Sequence, residues 1–175
     1  PQGSENFELL KKYYISEQNW EKFIEIFEIE TRVSTPDTKT LADRYTQVAE
    51  IYEQKLGDSN KAIANYELSL VCSPSSKSLL KKLEILYEQT ENFSRIAEIL
   101  EEEARISDKN EACFYRYRAG NIYEFKLQDT SKALKFYLKV FADVPEDEKN
   151  LERIELILKE EKNWNKLAQD RKSVV

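Results

Sequence analysis

Carboxylates dominate the chemistry this chain could attempt. Glu101-Glu102-Glu103, Glu146-Asp147-Glu148 and Glu160-Glu161 crowd acids together, and a carboxyl pair is the minimum equipment for general acid–base work. Such a pair needs a dry cleft that drives its two pKa values apart. These acids instead sit in charge-rich runs, which read as solvated helix faces or, at Glu146-Asp147-Glu148, as carboxylates favoured at a helix N-terminus. Histidine is absent, which removes imidazole triads, imidazole zinc ligands and a His general base. Cys72 and Cys113 are too few for a four-thiolate metal site or a disulfide scaffold. They read as ordinary reduced thiols, which favours a cytoplasmic setting. There is no Walker loop, GxGxxG, CxxC or Gly-x-Ser-x-Gly. The expectation is therefore no enzyme, no cofactor and no metal.

Charge narrows the partners. Across 175 residues, 27 Lys and Arg face 33 Asp and Glu, a net charge of −6 with no basic stripe, which argues against nucleic acid. No apolar run approaches the ~20 residues a membrane-spanning helix needs, so no direct membrane insertion is expected. Three glycines and four prolines are too few for a turn-rich β-sandwich. The opening Pro1-Gln2-Gly3-Ser4 and the lack of methionine read as an excised fragment, with residues 1–5 an expression remnant and tail.

An internal repeat sets the elements that must position any site. Ile51-Tyr52-Glu53-Gln54-Lys55-Leu56-Gly57-Asp58 is echoed by Ile122-Tyr123-Glu124-Phe125-Lys126-Leu127-Gln128-Asp129, an offset of 71 residues. The same offset carries Lys61-Ala62 onto Lys132-Ala133, Tyr66 onto Tyr137 and Pro74 onto Pro145. It also carries Leu80, Leu83 and Leu86 onto Leu151, Ile154 and Ile157. Upstream, Leu10, Tyr13, Tyr14 and Asn19-Trp20 match Leu83, Leu86, Tyr87 and Asn92-Phe93.

Each unit halves into segments of about 35 residues, the length of a helix-turn-helix repeat. The segments run 6–35, 38–74, 76–107, 109–145 and 147–172, which predicts ten helices in five antiparallel pairs. Tyr45, Val48, Ala49 and Tyr52 recur at helical spacing. Asp58-Ser59, Ser75-Ser76 and Asp129-Thr130-Ser131 supply N-caps. Pro36, Pro74 and Pro145 fall at helix ends, where no amide donor is missed. Asn19-Trp20, Asn92-Phe93 and Asn163-Trp164 each read as a turn Asn followed by an aromatic packing residue.

These residues resemble the tetratricopeptide repeat family, in arrays of alternating repeat pairs like bacterial ones. That signature sets an aromatic, a small residue and a Tyr on helix A, then Ala and an aromatic on helix B, then Pro. Tyr45, Ala49, Tyr52, Ala62, Tyr66 and Pro74 supply it once; Gly120, Tyr123, Ala133, Tyr137 and Pro145 supply it again, with Arg116 where the first aromatic belongs. Both copies carry one extra residue in the turn between the helices. The resemblance implies an all-α, right-handed solenoid of about five repeats over residues 6–175.

The family's concave groove is lined by A helices and docks peptides. Its carry-over makes Lys81, Tyr117, Arg118, Asn121, Lys149 and Arg153 the candidate partner-binding residues. Lys81, Lys149 and Arg153 occupy positions that clamp a peptide carboxylate in some members of the family, but Ile85 and Arg118 stand where that clamp has asparagines. A looser preference for an acidic or aromatic protein segment follows, since guanidinium groups pair bidentately with carboxylates. The expected function is a protein–protein interaction scaffold. The alternative is a self-assembly or spacer module stacking through its terminal helices, with a possible homo-oligomer.

Overall fold

In a computed structural model, the backbone is described for residues 2–172 and the side chains for residues 5–160 and 162; all regular structure among them is helical. The chain divides into two compact units, residues 1–90 and 91–175. The first holds α1 (Gln2–Ser16), α2 (Trp20–Ser34), α3 (Thr38–Ile51, continued by a π-helical turn Tyr52–Leu56), α4 (Ser59–Cys72) and α5 (Lys77–Gln89). The second holds α6 (Phe93–Arg105), α7 (Lys109–Phe125), α8 (Thr130–Asp143) and α9 (Glu148–Lys172). α1 thus begins inside the stretch that reads as a tail.

Side-chain caps start most helices. Asn19, Asp37, Asp58, Asn92, Asp108 and Asp129 each accept from the amide three residues on, at 2.8–3.3 Å. Ser76 caps α5 without a side-chain bond. The pairs α3–α4 and α7–α8 are the tightest contacts within their units. Small residues make that approach possible: Ala49 and Ala62 in one pair, Ala119, Gly120 and Ala133 in the other, are all sealed from solvent. Tyr66 and Tyr137 are buried in the same places. In the first unit Phe23, Ile24, Phe27 and Val48 form a second core cluster with Tyr14, Ile51, Tyr52 and Leu56 against it. In the second, Ile154 and Ile157 of α9 close over Ala133 and Tyr137.

The extra turn residue has a physical expression. The π turn at Tyr52–Leu56 absorbs it in the first unit, and Leu127 N–H reaching back to the Ile122 carbonyl at 3.0 Å does so in the second. Both turns then close alike, with Asp58 N–H to Tyr52 O and Asp129 N–H to Tyr123 O, each 2.8 Å. The residue before the aspartate is left-handed in both, Gly57 at φ 66° and Gln128 at φ 54°. A Cβ on Gly57 would meet nothing within 4 Å, so substitution there costs backbone energy alone. Gly57→Ala should therefore destabilise by about 1 kcal/mol and Gln128→Gly should stabilise by about the same amount, read as opposite shifts of the urea midpoint.

Two sequence expectations need correcting. The fifth helix pair does not form: α9 runs unbroken from Glu148 to Lys172, through the turn expected at Asn163-Trp164. At the two earlier turns Gln18 and Glu91 take left-handed backbone at φ 53°. Here Lys159-Glu160-Glu161-Lys162 are strong helix formers that carry the helix on, with Lys159 bridging Glu155 at 3.1 Å. The Trp164 side chain lies outside the described residues. Nor is the acidic run 101–103 a uniformly solvated face, since Glu101 is exposed but Glu103 is buried.

Candidate functional site

In the second unit, Phe114, Tyr117, Arg118, Asn121 and Phe125 recur at intervals of three or four along α7 and share one face. Phe114 is 60% exposed and Phe125 58%, and each lies against a guanidinium: Arg118 is 5.7 Å from the Phe114 ring centre and Arg153 of α9 is 4.9 Å from that of Phe125. Lys149 stands exposed on α9, one turn before Arg153.

Beneath this strip lies a buried clasp. Tyr137 directs its hydroxyl proton at Asn121 Oδ1 (2.8 Å) and Glu124 Oε2 (2.7 Å), and its ring lies 5.6 Å from that of Tyr117. Glu124 is in turn ion-paired with Arg153. Five of the six sequence-nominated residues thus come together on α7 and α9, but Asn121 and Arg153 are also engaged in holding α9 to the α7–α8 pair. Lys81 belongs to the first unit, on α5, where it pairs with the buried Glu84 at 2.6 Å.

The first unit repeats the clasp with different residues. Tyr66 donates to Glu53 Oε2 at 2.7 Å, and Lys82 of α5 donates to the Tyr66 hydroxyl at 3.1 Å and to Glu50 at 2.6 Å. Burial, followed by the Glu53 carboxylate, raises the Tyr66 pKa from its ordinary value near 10 to about 12, with Lys82 opposing. Burial raises Tyr137 in the same direction, followed by its neighbour Tyr117. Because the folded state holds these phenol protons more tightly, their contribution is fully present below about pH 10 and is lost as pH rises towards 12. Stability should fall over that window, and Tyr66→Phe should flatten the fall; urea melts at successive alkaline pH values would test this.

Phe114, Phe125 and Glu124 stand beside the six sequence-nominated residues without being among them. A signal was available for the aromatics. Under the 71-residue register Phe114 replaces Asp43 and Phe125 replaces Gln54, so both phenylalanines sit where the sister copy has an exposed polar residue. Packing alone does not ask for them. The packing aromatics behave otherwise: Trp20 and Phe93 are half-buried, each under a lysine, Lys55 at 5.5 Å and Lys126 at 4.9 Å. Cys72 and Cys113 are free thiols, and Cys113 is buried with a pKa raised by desolvation and then by Asp143. Among the described residues no cluster of metal-ligating side chains forms, and no helix is long and apolar enough to cross a membrane.

These features define an all-α protein of helical repeats, in which the pairs α3–α4 and α7–α8 are copies of one pattern. No family model matches the chain, and no curated protein does. Among solved structures it is similar to the N-terminal domain of stress-induced protein-1 from C. elegans, at 16% identity and TM-score 0.48, over 70% of this chain and 98% of that one. A crystal structure of MamA is similar at 13% identity and TM-score 0.45, over 87% and 84% of the two chains. A MamA RS-1 double mutant is similar at 12% identity and TM-score 0.48, over 97% and 90%.

Proposed function

We propose that this chain is a protein-interaction scaffold whose α7–α9 strip docks a peptide or protein segment. The observation that carries the reading is the pair Phe114 and Phe125, exposed on one helix face where the sister copy has Asp43 and Gln54. Exposed aromatics beside guanidinium groups are the residue types that anchor protein interfaces. Tyr117, Arg118 and Lys149 flank them, and Asn121 and Arg153 line the same face through the clasp. The cations favour a partner segment with acidic or aromatic side chains.

The test uses exposed positions outside the clasp. Phe114→Ser with Lys149→Glu should leave helicity and melting unchanged yet weaken partner capture from native extract at least tenfold, about 1.4 kcal/mol. Equal capture by wild type and variant would remove the docking role from this strip.

A second reading, self-assembly through a terminal helix, has its own observation. α1 exposes Leu9 (65%) and Tyr13 (56%), although Leu86, the α5 counterpart of Tyr13, is sealed. Sedimentation over a hundredfold concentration range, with Tyr13→Glu as control, separates the two readings: only self-assembly gives a mass that rises with concentration and falls with the substitution.

A further inference from the structure

The first unit holds an open groove along α3, between α2 and α4. One stretch, about 370 Å³, is walled by Phe27, Tyr45, Val48 and Leu68 with Asn65 at its side, and Arg32 and Arg44 line it together with Glu28. The adjoining stretch, about 410 Å³, shares Glu28 and carries Glu21, Glu25 and Asp58 on its rim against Lys61.

The internal repeat shows what closes such a groove. In the second unit α8 has Phe136 where α4 has Asn65, and Lys139 where α4 has Leu68. Phe136 is buried and stacks on Tyr123, with ring centres 5.4 Å apart and planes 15° apart. Lys139 lies 4.9 Å over that ring and reaches Glu101 of α6 at 3.2 Å. Glu101 is the counterpart of Glu28. The facing wall differs as well: α6 has Ala97 and Ala104 where α2 has Ile24 and Thr31. α6 packs along much of α7, whereas α2 meets α3 only sparsely. The bulkier side chains hold α2 off, and the small Asn65 leaves the gap unfilled. Glu28 is exposed and meets Arg32 at 3.8 Å, too far for a hydrogen bond.

We infer that the α2–α4 groove docks a basic segment of another protein, which inserts an aromatic side chain beside Asn65 and pairs a lysine or arginine with Glu28. The occupant supplies in trans what Phe136 and Lys139 supply within the second unit. The apolar floor accepts the ring, and Glu28, exposed at its edge, accepts the cation as Glu101 accepts Lys139 in the second unit. The surface is separate from the α7–α9 strip, and its charge preference is opposite.

The probe is the capped peptide acetyl-Phe-Ala-Ala-Lys-amide, which copies the spacing of Phe136 and Lys139. Titrated into the whole chain at low salt and followed by amide NMR, it should give saturable shifts at Tyr45, Leu68 and the Asn65 side chain. Replacing its lysine by glutamate should weaken binding about threefold or more. Asn65→Phe and Leu68→Lys rebuild the closure seen in the second unit, and each should cut affinity about fivefold. If Asn65→Phe does not fold, Leu68→Lys, at an exposed position, carries the comparison. No saturable shift in the groove, equal affinity for the glutamate peptide, or affinity in Leu68→Lys within about twofold of wild type overturns the proposal.

Discussion

Glu30→Ala should destabilise the first unit by about 3 kcal/mol, the scale of stranding a buried charge by removing its partner. Glu30 is buried on α2 and receives Lys11 Nζ from α1 and Arg44 from α3, both at 2.9 Å. The two cations also flank the Phe27 ring, at 5.0 and 5.9 Å from its centre. Arg44 donates further to the Ser34 hydroxyl at 2.9 Å, which fixes its guanidinium against the end of α2. Truncating Glu30 removes the shared counter-charge of two poorly solvated cations on one aromatic ring, leaving Lys11, among the described residues, only its ion pair with the exposed Glu8. Glu30→Gln, which keeps the shape and one acceptor, should fall between alanine and wild type. The triple change Lys11→Met, Glu30→Leu, Arg44→Met should recover stability to within about 1 kcal/mol of wild type, because an apolar replacement strands no charge. Urea midpoints read all three. An alanine cost below about 0.5 kcal/mol would mean that water screens the triad as it screens a surface pair.

Gly120→Ala should cost about 1–3 kcal/mol through overpacking at the α7–α8 contact. A Cβ at Gly120 would lie 2.5 Å from Tyr137 Cε1 and 2.9 Å from Cδ1. The ring cannot easily yield. It is buried, backed by Tyr117 at 5.6 Å, and tethered through its hydroxyl to Asn121 and Glu124. Relief must come from moving α8, which would also disturb Ile154 and Ile157 over Tyr137. Combining Gly120→Ala with Tyr137→Leu should be less than additive, since the smaller side chain removes the collision; full additivity would place the strain elsewhere. The sister copy has Ala49 opposite Tyr66, so the two pairs share a pattern but differ in local spacing.

The clasp tyrosines and the first-unit triad differ in how far the sequence announces them. Tyr66, Tyr137 and their flanking small residues recur at a fixed register, and recurrence at buried positions is what periodicity can detect. Glu30 and Glu103 recur too, yet nothing in a chain this rich in acids separates them from solvated glutamates such as Glu101. Burial of a charge is decided by which cations neighbouring helices bring to it, and Lys11 and Arg44 come from helices on either side of Glu30. The failed turn at Asn163 marks the opposite limit: an Asn-Trp pair resembles its sisters locally, while the helix-forming run before it carries α9 straight through.

By itself, then, the sequence determined the helices as far as the start of α9, the caps at Asp58 and Asp129, the pairing of α3 with α4 and of α7 with α8, and the duplication that relates them. Each follows from spacing and side-chain size, which are properties of the chain. Only the tertiary structure decided that Arg153 and Asn121 serve the clasp as well as the surface, that Phe125 stands exposed beside Arg153, and that the groove along α3 is open where its counterpart is filled. Those outcomes depend on how closely one helix approaches the next. That distance is set jointly by residues far apart in the chain, such as Ile24 and Asn65 against Ala97 and Phe136, and no local pattern contains it.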